Sequence, residues 1–173
     1  MSQLSSLSFN SSTDSSLLVR DVAGSYRPAE PAEVLQAALR VLAGQLRGTE
    51  MLSSPQAVRD FLRIKLGTLE HEVFAVIHLD AQHRVIEYVE MFRGTVTQTS
   101  VYPREVVKEA MAHNTAAIVL VHNHPSGAAE PSRADEHLTQ TLKSALSLVD
   151  VRVIDHLIVA GPTILSFAER GLI

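Results

Sequence analysis

His122 and His124 are separated by one residue, and Asp135 follows eleven positions after the second of them. Alternate residues of a strand project to the same side, so both imidazoles can turn toward one ion. The intervening Pro125-Ser126-Gly127-Ala128-Ala129-Glu130-Pro131 is a turn-rich loop, and Asp135 would return from the first turn of the following helix. Two imidazoles and a carboxylate leave a fourth position open, which is the plan of a catalytic zinc site rather than a closed structural one. A water in that position would ionise near pH ~7 and become a nucleophile. Each residue also has an ordinary role open to it. Ser132 and Asp135 spell Ser-x-x-Asp, a capping box at a helix start, and paired histidines at a strand end can be simple satisfied polar groups. The joint pattern favours the metal.

The elements that must position these residues follow from periodicity. Apolar residues recur at helical spacing over 32–46 (Val34, Leu35, Ala38, Leu39, Leu42, Leu46) and again from Pro55 to Leu66 (Val58, Phe61, Leu62). The period then becomes that of strands. Residues 73–79 and 85–92 read as a hairpin around Asp80-Ala81-Gln82, with a short strand over 95–101. Pro103 opens a third helix. The apolar run 116–121 has the character of a strand covered on both faces. A helix over 133–148 and strands at 151–159 and 163–167 complete the chain. The expected fold is α/β (α+β), a mixed sheet flanked by helices behind a short helical N-terminal extension. Residues 1–30 are expected to be a disordered tail, since the first 16 hold eight serines and one charge. Residues 31–67 make the helical segment, and 68–173 the catalytic domain.

Composition narrows the function classes. The 173 residues contain no cysteine, so thiolate zinc sites, disulfides and cysteine nucleophiles are excluded, while eight histidines are available. The formal charge is -4, and residues 68–173 hold 8 basic against 13 acidic side chains. That balance counts against nucleic acid as partner. No apolar run reaches the ~20 residues a bilayer span requires, so no membrane association is expected. The start of the chain lacks a secretory apolar region, and a cytoplasmic protein is expected.

The stretch His122-x-His124, seven residues, Ser132, two residues, Asp135 resembles the signature of the JAB/MPN (JAMM) metalloproteases. Val101-Tyr102-Pro103-Arg104-Glu105-Val106-Val107, His122-Asn123-His124-Pro125-Ser126-Gly127 and Asp155-His156-Leu157-Ile158-Val159 are similar to the RadC-like branch of that family. The similarity runs from about residue 68 to the C-terminus. Long members of the branch carry a helix-hairpin-helix module, and residues 1–67 show no glycine-bracketed hairpin of that kind. The resemblance implies one zinc ion per chain, held by His122, His124 and Asp135. It implies hydrolysis of peptide or isopeptide bonds in a protein or peptide substrate. The family also places a glutamate ahead of the first strand. Glu72, next to Val73, fits that place, with Glu70 as the competitor. That glutamate would act as general base and then general acid, and Ser132 would steady the tetrahedral oxyanion.

Other residues have plainer expectations. Asp155-His156 on an apolar strand is a satisfied core pair before it is a support for the metal site. His71, His78, His83, His113 and His137 are expected at the surface or at caps, and Arg104 and Glu105 at a helix start. The literal tripeptide His-Asn-His is not the nuclease motif of that spelling, which spreads its residues over some tens of positions. A metal-binding module without turnover, a nuclease and a DNA-repair-associated role are the rival functions.

Overall fold

The structure is a computed structural model and describes residues 17–51, 55–94 and 100–173. The chain divides into two units, Met1–Ala38 and Leu39–Ile173.

In the first unit, β1 (Leu18–Arg20) and β2 (Tyr26–Pro28) form a small antiparallel ribbon. The Asp21 carboxylate accepts the N–H groups of Ala23 and Ser25 at 2.9 Å each, which closes the turn without help from a core. Arg27 grips Glu33 through both guanidinium nitrogens at 2.9 and 2.7 Å. The disordered tail expected through residue 30 is therefore corrected over 17–30, where local polar bonds supply the order that apolar burial does not. Residues 1–16 lie outside the described residues.

The second unit is built on one five-stranded sheet with the order β4-β3-β5-β6-β7. Its strands are β3 (Val73–Leu79), β4 (Val85–Arg93), β5 (Ala117–Asn123), β6 (Arg152–Ala160) and β7 (Thr163–Ser166). All pairings are antiparallel except β5 with β6. That parallel pair needs a crossover, supplied by α4 (Arg133–Ser147). Every residue of β3 and of β5 is buried because both faces of the sheet are covered, which is why both strands are mostly apolar.

One face carries Val73, Ala75, Ile77, Ala117, Val119 and Val121, packed with Val58, Phe61, Leu62 and Leu66 of α2 (Pro55–Leu66) and Leu46 at the end of α1 (Pro31–Leu46). The opposite face carries Phe74, Val76, Ile118 and Leu120 against Val106 and Ala110 of α3 (Pro103–Ala112) and Leu142 and Leu146 of α4. The expected boundary at residue 68 is corrected by this packing. The apolar stripe of α2 packs against the sheet, and the unit that contains both begins at Leu39. At Gly67 a Cβ would stand 2.5 Å from the Arg63 carbonyl oxygen and 2.9 Å from that of Gly161, so only glycine lets α2 end this close to the β6–β7 turn. Of the strand expected over 95–101, residues 95–99 lie outside the described residues, and Ser100 and Val101 belong to no strand.

Candidate metal centre

β5 delivers the two histidines and α4 delivers the aspartate. His122 is the last residue of β5 paired directly with β3, opposite Phe74, and it lies on the sheet face that α4 covers. His124 follows the strand, its N–H held by the Val159 carbonyl at 2.8 Å. The loop turns back through Gly127, whose φ of 76° suits glycine. Ser132 then caps α4. Its hydroxyl oxygen accepts the Asp135 N–H at 3.2 Å, and its own N–H donates to the Asp135 carboxylate at 2.7 Å. The capping box and the ligand set are thus one arrangement, with the cap aiming the carboxylate.

The three side chains converge. The His122 and His124 Nε2 atoms are 2.9 Å apart, Asp135 Oδ1 is 3.2 Å from His122 Nε2, and Asp135 Oδ2 is 3.6 Å from His124 Nε2. Two ligands 2.0–2.1 Å from a tetrahedral ion lie about 3.3 Å apart, a value these three separations bracket.

Proton positions follow from the bonding around the site. Thr139 donates its hydroxyl to the Asp135 carbonyl at 2.6 Å, so its oxygen can only accept from His156 Nδ1, also at 2.6 Å. His156 is fully buried, and desolvation first, then the nearby His122, hold its pKa well below the ordinary value. It is neutral, and with Nδ1 protonated its Nε2 must accept. The partner there is His122 Nδ1 at 2.8 Å, which therefore donates. In the neutral ring of His122 that puts the lone pair on Nε2. His124 arrives at the same state by a shorter route, since its Nδ1 faces the Ala128 carbonyl at 2.7 Å and a carbonyl can only accept. Two imidazole lone pairs and a carboxylate thus point at one place, where they repel unless a proton or a cation joins them.

The electrostatics favour a positive charge at that place. Asp135 lies well below the usual carboxylate range. Partial burial pushes it up, but the bonds from His122 and His124 together outweigh that. His124 is raised, first by its bond to Asp135, and among the further causes is the charge of Glu72. Glu72 directly precedes β3, whose Phe74 pairs with His122, and its charge acts on His124. Glu70 is exposed.

Residues 52–172 match the family model described as the RadC-like JAB domain. The chain belongs to that family. It is 61% identical over 150 residues to a UPF0758 protein of Leptothrix cholodnii, and 60% identical over 150 residues to one of Methylibium petroleiphilum. Each alignment covers 87% of this chain and 68% of the relative. The RadC-like match begins inside the helical segment, so it includes α2 along with the sheet that α2 covers.

Several expectations about single residues change. His156 is no bystander of the core, because it holds His122. Its neighbour Asp155 points the other way, as adjacent strand residues must. It accepts Ser166 Oγ at 2.6 Å and the N–H groups of His156 and Ala168, with burial raising its pKa. Thr139 was not singled out, although its place one helical turn after Asp135 was a usable signal. His78, expected at a surface or cap, is fully buried with Nδ1 2.8 Å from the Thr115 hydroxyl. It gathers with Glu109 and His113 in a second group of ligand-type atoms. The His78 and His113 rings stack with planes only 6° apart, so no point near the rings lies in both planes as a shared ion requires. A cavity of about 450 Å³ lined by Leu39, Phe61, Ile77 and Tyr88 opens on the α2 face of the sheet, opposite the face that carries His122. Among the described residues no helix is long and apolar enough to cross a membrane.

Proposed function

We propose that this RadC-like JAB protein is a zinc-dependent hydrolase of peptide or isopeptide bonds. The observation that carries the reading is the donor set: two imidazole lone pairs and a carboxylate converge at tetrahedral spacing, with both remaining ring N–H groups committed elsewhere. His122, His124 and Asp135 would hold one zinc ion. Bound there, zinc supplies Lewis acidity for a scissile carbonyl and a water that is nucleophilic near pH ~7.

The chain's own residues do the remaining work. Glu72, whose charge acts on His124, takes a proton from the attacking water and passes it to the leaving amine. Ser132 uses its oxygen as helix cap, which leaves its hydroxyl proton without an acceptor among the described residues and able to donate to the developing oxyanion. His156 and Thr139 keep the His122 ring in the ligating tautomer.

Metal analysis of the purified protein is expected to return one zinc per chain, with none for His122→Ala. Glu72→Gln should keep the zinc and capture from a lysate a protein that the unaltered chain releases in cleaved form. Zinc binding with no cleaved protein would favour a metal-binding module, and chelator-sensitive degradation of DNA would favour the nuclease reading. A Glu70→Gln variant that loses hydrolysis while Glu72→Gln keeps it would reassign the base.

A further inference from the structure

The residue between the two histidines has a role of its own. Asn123 is buried, at 1% exposure, and is the last residue of β5. It alternates away from His122 and His124, so its side chain is not directed with theirs. Its amide oxygen accepts the Val73 N–H at 2.8 Å, and its amide nitrogen donates to the His71 carbonyl at 3.0 Å. Those are the backbone groups on either side of Glu72. One donor and one acceptor spent on neighbouring backbone groups imitate a rung of a sheet, carried here by a side chain. The backbone pairing of β3 with β5 stops at Phe74–His122, so the amide continues the sheet past its last backbone pair. On the other side, the Glu72 carbonyl accepts the Gly94 N–H at 2.8 Å. Glu72 is thereby held from both flanks at the point where a strand end would otherwise fray.

We infer that Asn123 is a positioning residue for Glu72, the amide that fixes the backbone from which this carboxylate acts on His124. This rests on the proposed role of Glu72 and deepens it. The chemistry explains the residue type. The position needs a donor and an acceptor about one amide apart, with no charge. Aspartate lacks the donor and adds a repelling charge near Glu72, leucine has neither group, and serine is too short to reach both His71 and Val73. A misplacement of about 1 Å in such a group costs on the order of 100-fold in rate, so a residue that touches neither ion nor substrate can still control the chemistry.

The test uses the full chain loaded with cobalt in place of zinc, whose visible absorption band reports what surrounds the ion. Glu72→Gln is expected to shift that band at one cobalt per chain. Asn123→Ala is expected to keep one cobalt per chain and reproduce at least about half of that shift. The double variant should add nothing to Glu72→Gln alone, since both act through one carboxylate. Asn123→Leu, neutral and of similar size, serves if the alanine variant does not fold. A band shifted by Glu72→Gln and untouched by both Asn123 variants would overturn the inference alone, because a purely structural residue lowers stability without moving the spectrum. A band that Glu72→Gln leaves unmoved would overturn the Glu72 reading, and this inference with it.

Discussion

Thr139→Val removes one hydroxyl from the buried chain that fixes His122 and leaves the shape of the helix face unchanged. In the present arrangement that hydroxyl donates to the Asp135 carbonyl and accepts from His156 Nδ1, both at 2.6 Å and away from solvent. Valine leaves the His156 Nδ1–H without an acceptor, a cost of about 1–3 kcal/mol for a buried donor. The ring escapes that cost by moving its proton to Nε2. It then donates to His122 Nδ1 across the 2.8 Å contact, and the His122 proton is driven onto Nε2, the atom that faces Asp135. Zinc must then pay to restore the ligating tautomer. Losses at supporting residues of this kind run at about 10–100-fold in metal affinity, or roughly 1.4–2.7 kcal/mol. Competition against a chromophoric zinc chelator measures the affinity directly. Zinc affinity for Thr139→Val within about twofold of the unaltered chain would refute the tautomer reasoning, however much stability the variant had lost.

Ser132 separates two roles by substitution: Ser132→Ala is expected to cost about 1 kcal/mol of stability through the lost cap, whereas Ser132→Gly costs a few tenths, and both should lose turnover of a captured substrate by about 100-fold if the hydroxyl serves the oxyanion. Equal turnover in the glycine variant would remove Ser132 from the chemistry. Leu62, fully buried between α2 and the sheet, should cost about 2–5 kcal/mol on replacement by alanine, read from denaturant midpoints; a loss under about 1 kcal/mol would place α2 outside the core. His78 predicts a pH dependence. Burial first, then the neighbouring His113, pushes its pKa down from 6.5 to about 4, so the unfolded chain binds the extra proton. Stability is therefore full above pH ~6.5 and falls as pH drops toward 4, by about 3 kcal/mol from this group. Chemical denaturation across that range should show a flatter profile for His78→Leu, and an unchanged slope would refute the assignment.

Much of the fold could be read before any coordinates. The helical stripes of α1 and α2, the doubly covered run of β5 and the proline at the start of α3 are local patterns, and each element sits within a residue or two of its expected place. The ribbon at Leu18–Pro28 could not be read, because its strands are three residues each and held by Asp21 and Gly24 rather than by hydrophobic alternation. The membership of α2 was equally hidden. Its stripe announced that something would be buried, and nothing in the helix said against which partner.

At the candidate metal site the division is sharper. Strand alternation and the helix start bring His122, His124 and Asp135 to one place, and spacing alone conveys that because each step is local. His156 and Asn123 depend on pairing between strands far apart in the chain. The parallel β5–β6 register places His156 opposite Leu120, diagonal to His122, and the antiparallel β3–β5 register puts Asn123 beside the backbone that carries Glu72. Register is settled by how whole faces of a sheet bury against their helices, so no motif around His156 or Asn123 could reveal what each would hold. The ligand types were local information. Their protonation, their aim and the anchoring of Glu72 came only with the tertiary structure.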